Sequence, residues 1–193
     1  MTTQLDICNI ALSYVGATPI ESLTELSTEA IWCNTNYVPL KHAVLAERTW
    51  NFAEVIMEVS DPVAGAGGFY YPIPVAAVRV YRCYSQLSPR RQANWKRIGS
   101  NVLADYDGTI HMVVTDGGVA EDGFPPMFTQ ALAGRLAMEM ALPIARSQSM
   151  LNAMVQLYEQ KISAAAAADG SEGRAERHDS NELTAGRAGG YTL

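Results

Sequence analysis

Apolar residues recur every three or four positions in two stretches near the start of the chain, which is the pattern of helices buried on one side. The first stretch spans residues 3–15 and ends at Gly16, and the second begins near Ser27. Their stripes consist of Leu5, Cys8, Leu12 and Val15, and of Cys33, Tyr37, Leu40 and Val44. Such narrow stripes favour packing of long helices against one another over docking on a broad sheet.

The same periodicity returns in the last third of the chain. A third helix is expected after Pro125 and Pro126, because proline is tolerated in a first helical turn, and Pro143 should end or bend it. A fourth helix is expected over residues 147–168, where a run of alanines supplies high helix propensity. The two stripes consist of Phe128, Leu132, Leu136, Met140 and Ile144, and of Leu151, Met154, Tyr158 and Ile162.

Between the two helical regions, from about Thr49 to Gly118, β-branched and aromatic residues alternate with Gly and Pro, which is typical of β structure. The dipeptide Asp107-Gly108 lies between two such runs and predicts a two-residue hairpin turn. The glycine run at 65–68 lacks the GxGxxG spacing and a following helix, so we interpret it as a flexible loop rather than a phosphate loop. The candidate strands are 52–59, 76–84, 94–98, 101–106 and 109–115.

None of the four expected helices can bury its apolar face alone, so they are expected to pack together. The predicted fold class is therefore α+β, with a helical bundle built from residues 1–48 and 119–168 and an antiparallel β module inserted at 49–118. Residues 169–193 are rich in Gly, Ala, Glu, Arg and Ser, and this composition predicts a flexible C-terminal tail.

The composition of the chain is unusual mainly in its low fraction of charged residues. The chain has 193 residues, of which 48% are hydrophobic and only 18% charged, so more of its surface than usual should be apolar or covered by another molecule. The net charge of −6 argues against bulk binding of nucleic acid. The three cysteines form no CxxC pair and suit a reducing compartment, and the sequence predicts neither export nor membrane insertion.

Motifs for metal binding and nucleophilic catalysis are missing from the sequence, among them GxSxG, HExxH, the P-loop and the EF-hand loop. The histidines His42, His111 and His178 fall on an expected helix, an expected strand and the tail, so a three-ligand metal site is not expected. The sequence predicts no cofactor.

Paired carboxylates are the other chemical possibility, since two of them can cleave a glycosidic bond. Acidic residues at strand ends and turns are ordinary, and we interpret those in the β region as structural. They are Glu54, Glu58, Asp105 and Asp107.

A basic strip stands out between residues 79 and 97, where six cations occur without an acidic residue. These six carry +6, so the rest of the chain carries −12 within the net charge of −6. Aromatic side chains lie among them, as at surfaces that bind nucleic acid or an acidic partner, and an acidic face on a neighbouring copy would fit as well. We predict partner binding by Arg79, Arg82, Arg90, Arg91, Lys96 and Arg97.

The order of several short segments resembles the tail tubular protein A family, the head-to-tail adaptors of short-tailed bacteriophages. The resemblance covers roughly residues 4–168. It is carried by LDICNIALSYVGATPI at 5–20, ERTWNFA at 47–53, YPIP at 71–74 before VRV at 78–80, and FPPMFTQALA at 124–133 followed by RLA at 135–137.

The resemblance implies a non-enzymatic structural protein of the virion that is made in the host cytoplasm and lies in the tail at the head-tail interface. In the family such proteins form dodecameric rings between the portal protein and the tail nozzle protein, with tail fibres as a further partner. DNA crosses the ring during ejection without sequence-specific binding. By analogy the C-terminal segment would order on the portal, with Tyr191 and Leu193 as its apolar anchors.

Two other interpretations stay open. A connector or head-completion protein of a long-tailed phage would also form rings of helical subunits, and its next component would be a tail tube instead of a nozzle. A virion-associated cell-wall hydrolase is the enzymatic alternative, and a degradation assay on the wild type and the Glu54→Gln variant would test it.

Overall fold

Four α-helices and seven β-strands occur in residues 2–85 and 93–172, the part of the chain that the computed structural model describes. The helices are α1 (Gln4–Tyr14), α2 (Thr28–Glu47), α3 (Pro126–Met140) and α4 (Gln148–Glu172). The strands are β1 (Glu54–Val59), β2 (Val63–Gly65), β3 (Gly68–Pro72), β4 (Ala77–Tyr84), β5 (Trp95–Ile98), β6 (Asn101–Ala104) and β7 (Ile110–Asp116). The predicted α+β class and the antiparallel pairing of the strands are confirmed.

The helices begin where the local sequence supplies an acceptor or a proline. Thr3 and Asp6 form a capping box at the start of α1, and the Ser27 hydroxyl accepts a hydrogen bond from the Ala30 backbone N–H at the start of α2. Pro126 occupies the first turn of α3, whose last residue, Met140, lies three positions before Pro143. The sequence therefore predicts the ends of these helices to within a few residues.

All four helices contribute to one hydrophobic core, and α3 packs most extensively against α4 and α1. Small side chains on α3 allow this close approach: the backbone of Gly134 faces Tyr158 of α4, whose Cα lies 3.6 Å from where a Cβ on Gly134 would be. Nine of the fifteen residues of α3 are buried. An aromatic cluster extends the core to the start of the β region, with the Trp50 and Phe128 rings 5.0 Å apart edge to face.

The strands form two antiparallel sheets, one in the order β1-β7-β4 and one in the order β2-β3-β6-β5. The facing sides of the two sheets share a second core, which includes Tyr71 and Val102 from one sheet and Met112 and Val114 from the other. In the described part of the chain, β1 and β4 are the edges of the first sheet, and β2 and β5 are the edges of the second.

The hairpin predicted at Asp107-Gly108 is wrong. β6 pairs with β3 and β5, whereas β7 pairs with β1 and β4, so this segment crosses from one sheet to the other. A type I′ turn needs positive φ at both central residues, and here only Gly108 has one, at +134°. The Tyr71 hydroxyl lies 2.5 Å from the Tyr106 carbonyl oxygen and 2.9 Å from that of Gly108, which stabilises the crossover.

Two further predictions need correction. The glycine run at 65–68 is a tight connection between β2 and β3, because Gly65 pairs with Gly68, and a Cβ on Gly68 would lie 2.4 Å from the Ala104 carbonyl oxygen. The tail does not begin at Asp169, since α4 continues to Glu172. The rest of the predicted tail, from residue 173 onward, lies outside the described residues.

Candidate interaction surfaces

The cations of the basic strip that the structure describes are divided between the two sheets. Arg79 and Arg82 lie on β4, whereas Lys96 and Arg97 lie on β5. Arg90 and Arg91 lie outside the described residues. The described cations therefore belong to two different sheet edges instead of one continuous strand.

Arg79 binds the C-terminal end of α2. Its guanidinium donates hydrogen bonds to the carbonyl oxygens of Ala46, at 2.8 Å, and Glu47, at 3.4 Å, where the helix dipole favours a cation. The same guanidinium lies 5.2 Å from the centre of the Tyr81 ring, over its face. Arg79 thus joins the sheet to the helical region.

Tyr81 has a structural role too. Its hydroxyl donates to the Arg48 carbonyl oxygen at 2.7 Å and contacts the Thr115 hydroxyl. Burial raises the pKa of Tyr81 above its ordinary value. This aromatic side chain is therefore engaged within the molecule and is not a free stacking platform.

The remaining described cations differ in their partners. Arg82 lies 3.7 Å from Glu54 across the first sheet, and the Arg97 Nε donates to the Gly99 carbonyl oxygen at 3.1 Å. Lys96 is exposed and makes neither an ion pair nor a side-chain hydrogen bond within the described part of the chain. Lys96 is thus a cation of the strip that stays available for an external partner.

The carboxylates of the β region do not gather into a buried site. Glu54 and Glu58 lie on the edge strand β1, whereas Asp105 and Asp107 lie on the crossover between β6 and β7, and all four are exposed. A group of three or more His, Cys, Asp or Glu side chains that could hold a metal ion is not found within residues 2–85 and 93–172. The arrangement offers no water-excluded pair of the kind that acid-base catalysis uses.

The three cysteines are buried and unpaired, as their positions on apolar stripes predicted for Cys8 and Cys33. A hydrogen bond with Cys33, together with burial, raises the pKa of the Cys8 thiol. Burial raises the pKa of Cys83 to about 12. Raised pKa values keep Cys8 and Cys83 protonated and unreactive near neutral pH.

A depression of about 130 Å³ lies beside the second sheet, between β5 and the ends of β3 and β6. It is smaller than the ~300 Å³ at which pockets for small organic ligands begin. Lys96 and Asp105 supply its charged groups, and Trp95 and Leu103 supply most of its apolar lining.

Large apolar side chains are exposed on several parts of the described structure, including α2 and the sheet edges. On the outer side of α2 and the loop before it, Leu26, Ile31 and Val38 are 93%, 54% and 49% exposed. On the sheet edges, Ile56 of β1 and Ile98 of β5 are 52% and 37% exposed. These side chains are candidates for contact with another protein.

A polar junction ties the end of α4 to the start of the β region. Both carboxylate oxygens of the buried Asp169 accept from the Asn51 backbone N–H, at 3.0 and 2.9 Å, and the Asn51 side-chain amide donates to the Asp169 carbonyl oxygen at 2.7 Å. The composition of residues 169–193 predicts Asp169 in the tail, whereas it lies in the last turn of α4. The signal that was available is an acidic residue at a helix C-terminus, where the dipole disfavours it unless a donor is nearby.

A buried cation was missed as well. Lys41 of α2 is only 7% exposed, and its Nζ donates to the Val119 carbonyl oxygen at 2.6 Å and to a Glu121 carboxylate oxygen at 3.2 Å. The Phe124 ring lies 5.3 Å from the same atom. The only sequence signal is a lysine within the apolar pattern of α2, and its partners are about 80 residues away.

Comparison with protein-family models finds no matching family, and comparison with curated proteins finds no match. Over the two described ranges, no helix combines the length and the hydrophobicity that crossing a bilayer requires.

Proposed function

We propose that this protein is a structural component of a bacteriophage virion: a head-to-tail adaptor whose copies form a ring between the portal and the tail nozzle. The ring forms part of the channel through which DNA leaves the head. The protein acts through contacts with its own copies and with its neighbours in the particle, and it carries out no bond-making chemistry.

The observation that carries this proposal is the sharing of one core by both ends of the chain. Buried residues from Ile7 in α1 to Ala165 in α4 belong to a single apolar cluster, and the sheets between them have a core of their own. We propose on this basis that the helices form a bundle from which the β module projects. The same plan of helices, sheets and helices is the one that the resemblance implies.

Polar contacts between the N-terminal and C-terminal helices support a rigid bundle. The Glu47 carboxylate at the end of α2 accepts from the Tyr158 hydroxyl of α4 at 2.7 Å and from Arg135 of α3 at 3.2 Å. The Tyr14 hydroxyl of α1 bonds to the Gln130 side chain of α3. A subunit that keeps its shape in this way can be repeated around a ring without an adjustment at each contact.

The surface supports repeated contact between copies. Leu26, Ile31 and Val38 present apolar groups to solvent on the side of α2, and the outward residues of α4 are mostly small or uncharged. With a charged fraction of 18%, a ring can bury such faces without leaving many charges unpaired.

An acidic subunit is compatible with a DNA channel. A ring that neutralised many phosphates would hold the duplex tightly and slow its passage. The net charge of −6 favours a lumen with weak contact to DNA. The exposed cations are then available to protein partners.

Negative-stain electron microscopy of the purified protein, alone and mixed with the portal protein, tests the proposal. We expect ring-shaped particles, either in the protein alone or on portal rings. A protein that stays monomeric in every mixture contradicts the proposal. Addition of the nozzle protein or of a tail-tube protein to the portal-bound rings separates an adaptor from a long-tailed connector, because only the correct neighbour extends the particle.

A further inference from the structure

We propose that neighbouring copies join by strand addition, in which the edge strand β1 of one copy pairs antiparallel with the edge strand β5 of the next. This inference rests on the proposed function in one respect, the assembly of identical copies. It names the surfaces that meet, and it follows from the edges and charges of the two sheets.

Both strands have an open edge in the described part of the chain. β1 pairs only with β7, and β5 pairs only with β6. An open edge presents backbone N–H and C=O groups that another strand can satisfy. β1 is long and β-branched, with the sequence EVIMEV, and lacks the lysine or proline that blunts many sheet edges.

The two edges carry opposite free charges. Glu54 on β1 already has Arg82 as a partner, whereas Glu58 forms no ion pair within the described residues. Lys96 on β5 is likewise exposed and unpaired there. Pairing Glu58 with Lys96 would therefore join two charges that the single copy leaves without a partner.

The charged and apolar side chains proposed to meet all point to the outer face of their sheets. Glu58 and Ile56 point away from the shared core of the sheets, because Met57 and Val59 pair with residues of that core. On β5, Lys96 and Ile98 point outward for the same reason, because Trp95 and Arg97 pair with the core residues Ala104 and Val102. An antiparallel pairing that matches outward residues keeps both faces continuous.

One antiparallel register of β1 and β5 places a charged pair and an apolar pair opposite each other. When Glu58 lies opposite Lys96, Ile56 lies opposite Ile98 on the same face, so an ion pair and an apolar pair form side by side. A shift by two residues places Ile56 opposite Lys96 and loses both pairs. The contact is therefore specific in register.

Pairing between two β1 strands is less favourable. A two-fold axis through Ile56 places Glu54 of each copy opposite Glu58 of the other, which brings like charges together twice. A two-fold axis through Met57 places Glu58 opposite Ile56, so neither register forms an ion pair. The β1–β5 contact instead joins two different edges, and such a head-to-tail contact closes into a ring when the rotation between copies allows it.

Charge reversal tests the contact, under the conditions in which the wild type assembles, alone or on portal. The single variants Glu58→Lys and Lys96→Glu should each weaken assembly ~10-fold or more, because each brings like charges together. An equimolar mixture of the two variants, or the double variant, should recover assembly. Asp122→Lys, which reverses an exposed charge outside both sheets and outside the α2 and α4 surfaces, is the control and should assemble like the wild type.

Disulfide trapping tests the register in the same protein. The native cysteines are buried, so Ile56→Cys and Ile98→Cys would be the exposed thiols. A mixture of these two single variants should give crosslinked dimers under oxidation, and each variant alone should not. Ile56→Cys mixed with Val63→Cys, on the β2 edge outside the proposed contact, is the control and should give no crosslink.

The outcomes separate this inference from the adaptor proposal. The β1–β5 contact is overturned if both charge variants form rings as well as the wild type does. It is also overturned if Ile56→Cys crosslinks with itself. Either result leaves the adaptor proposal standing. A wild type that assembles in no mixture overturns both. Loss of assembly in each single variant with recovery in the mixture supports both.

Discussion

At the scale of single residues, several polar side chains in the described structure join elements that are distant in the sequence. Arg79 binds the last carbonyls of α2, Tyr81 binds the Arg48 carbonyl oxygen, and Asp169 binds Asn51. Each of them connects the helical region to the β region. A basic or aromatic residue in this sequence is thus as readily a structural connector as a binding residue.

Replacement of Asp169 tests the strongest of these connections. Asp169→Ala should lower the free energy of unfolding by about 1–3 kcal/mol, because it removes a charged acceptor from the Asn51 backbone N–H. Chemical denaturation measures the change. Asp122→Ala, at an exposed position, is the control and should stay within ~0.5 kcal/mol of the wild type. Equal effects of the two variants would contradict a role for the junction.

At the scale of secondary-structure elements, α3 is the centre of the helical region. It contacts α1, α2 and α4, and most of its length is buried. Its buried face contains Ala131, Ala133, Gly134 and Ala137, and such small residues allow helix axes to come close. The stripe of large residues predicted the helix, and the small residues between them determine how near its neighbours lie.

Two substitutions of Gly134 test this packing, one expected to raise the free energy of unfolding and one expected to lower it. A Cβ at this position would lie 3.5 Å from Lys161 Cδ and 3.6 Å from Tyr158 Cα, which are ordinary contact distances. Gly134→Ala should therefore raise the free energy of unfolding by up to about 1 kcal/mol through helix propensity. Gly134→Leu should lower it by ~1–3 kcal/mol or more, because a larger side chain meets the α4 backbone. Thermal and chemical denaturation give both values, and a destabilising alanine would contradict the spacing of α3 and α4.

At the scale of the whole molecule, the described residues form two hydrophobic cores and leave apolar side chains exposed on α2 and at the sheet edges, among other places. The helical core and the sheet core give a subunit whose edges, β1 and β5, and whose α2 surface are available to other molecules. These surfaces support the proposed role in assembly.

Removal of the C-terminal segment tests how such a subunit meets the portal. Deletion of residues 173–193 leaves α4 and the Asp169 junction intact, so the melting temperature should stay unchanged. Portal binding should weaken, because Tyr191 and Leu193 are the expected apolar anchors. Cosedimentation with portal rings measures the binding. Unchanged binding would remove the proposed role of this segment and leave ring formation to be judged by microscopy.

The sequence alone determined the local elements of this protein. Periodic apolar residues and caps predicted the four helices, and residues such as Thr3, Ser27 and Pro126 set where three of them begin, because capping depends on neighbours within a few positions. Alternation predicted five of the seven strands. β2 and β3 were missed because the glycines at 65–68 and Pro72 interrupt the pattern, although Phe69, Tyr70 and Tyr71 favour a strand.

Only the tertiary structure decided how these elements join. Strand pairing depends on contacts far along the chain, so Asp107-Gly108 could not reveal that Tyr71 would hold it as a crossover between sheets. The partners of the cations in the basic strip likewise could not be predicted from the sequence. Arg79 is bound by a helix end and Lys96 stays exposed, because the availability of a charge depends on which distant groups the fold brings beside it.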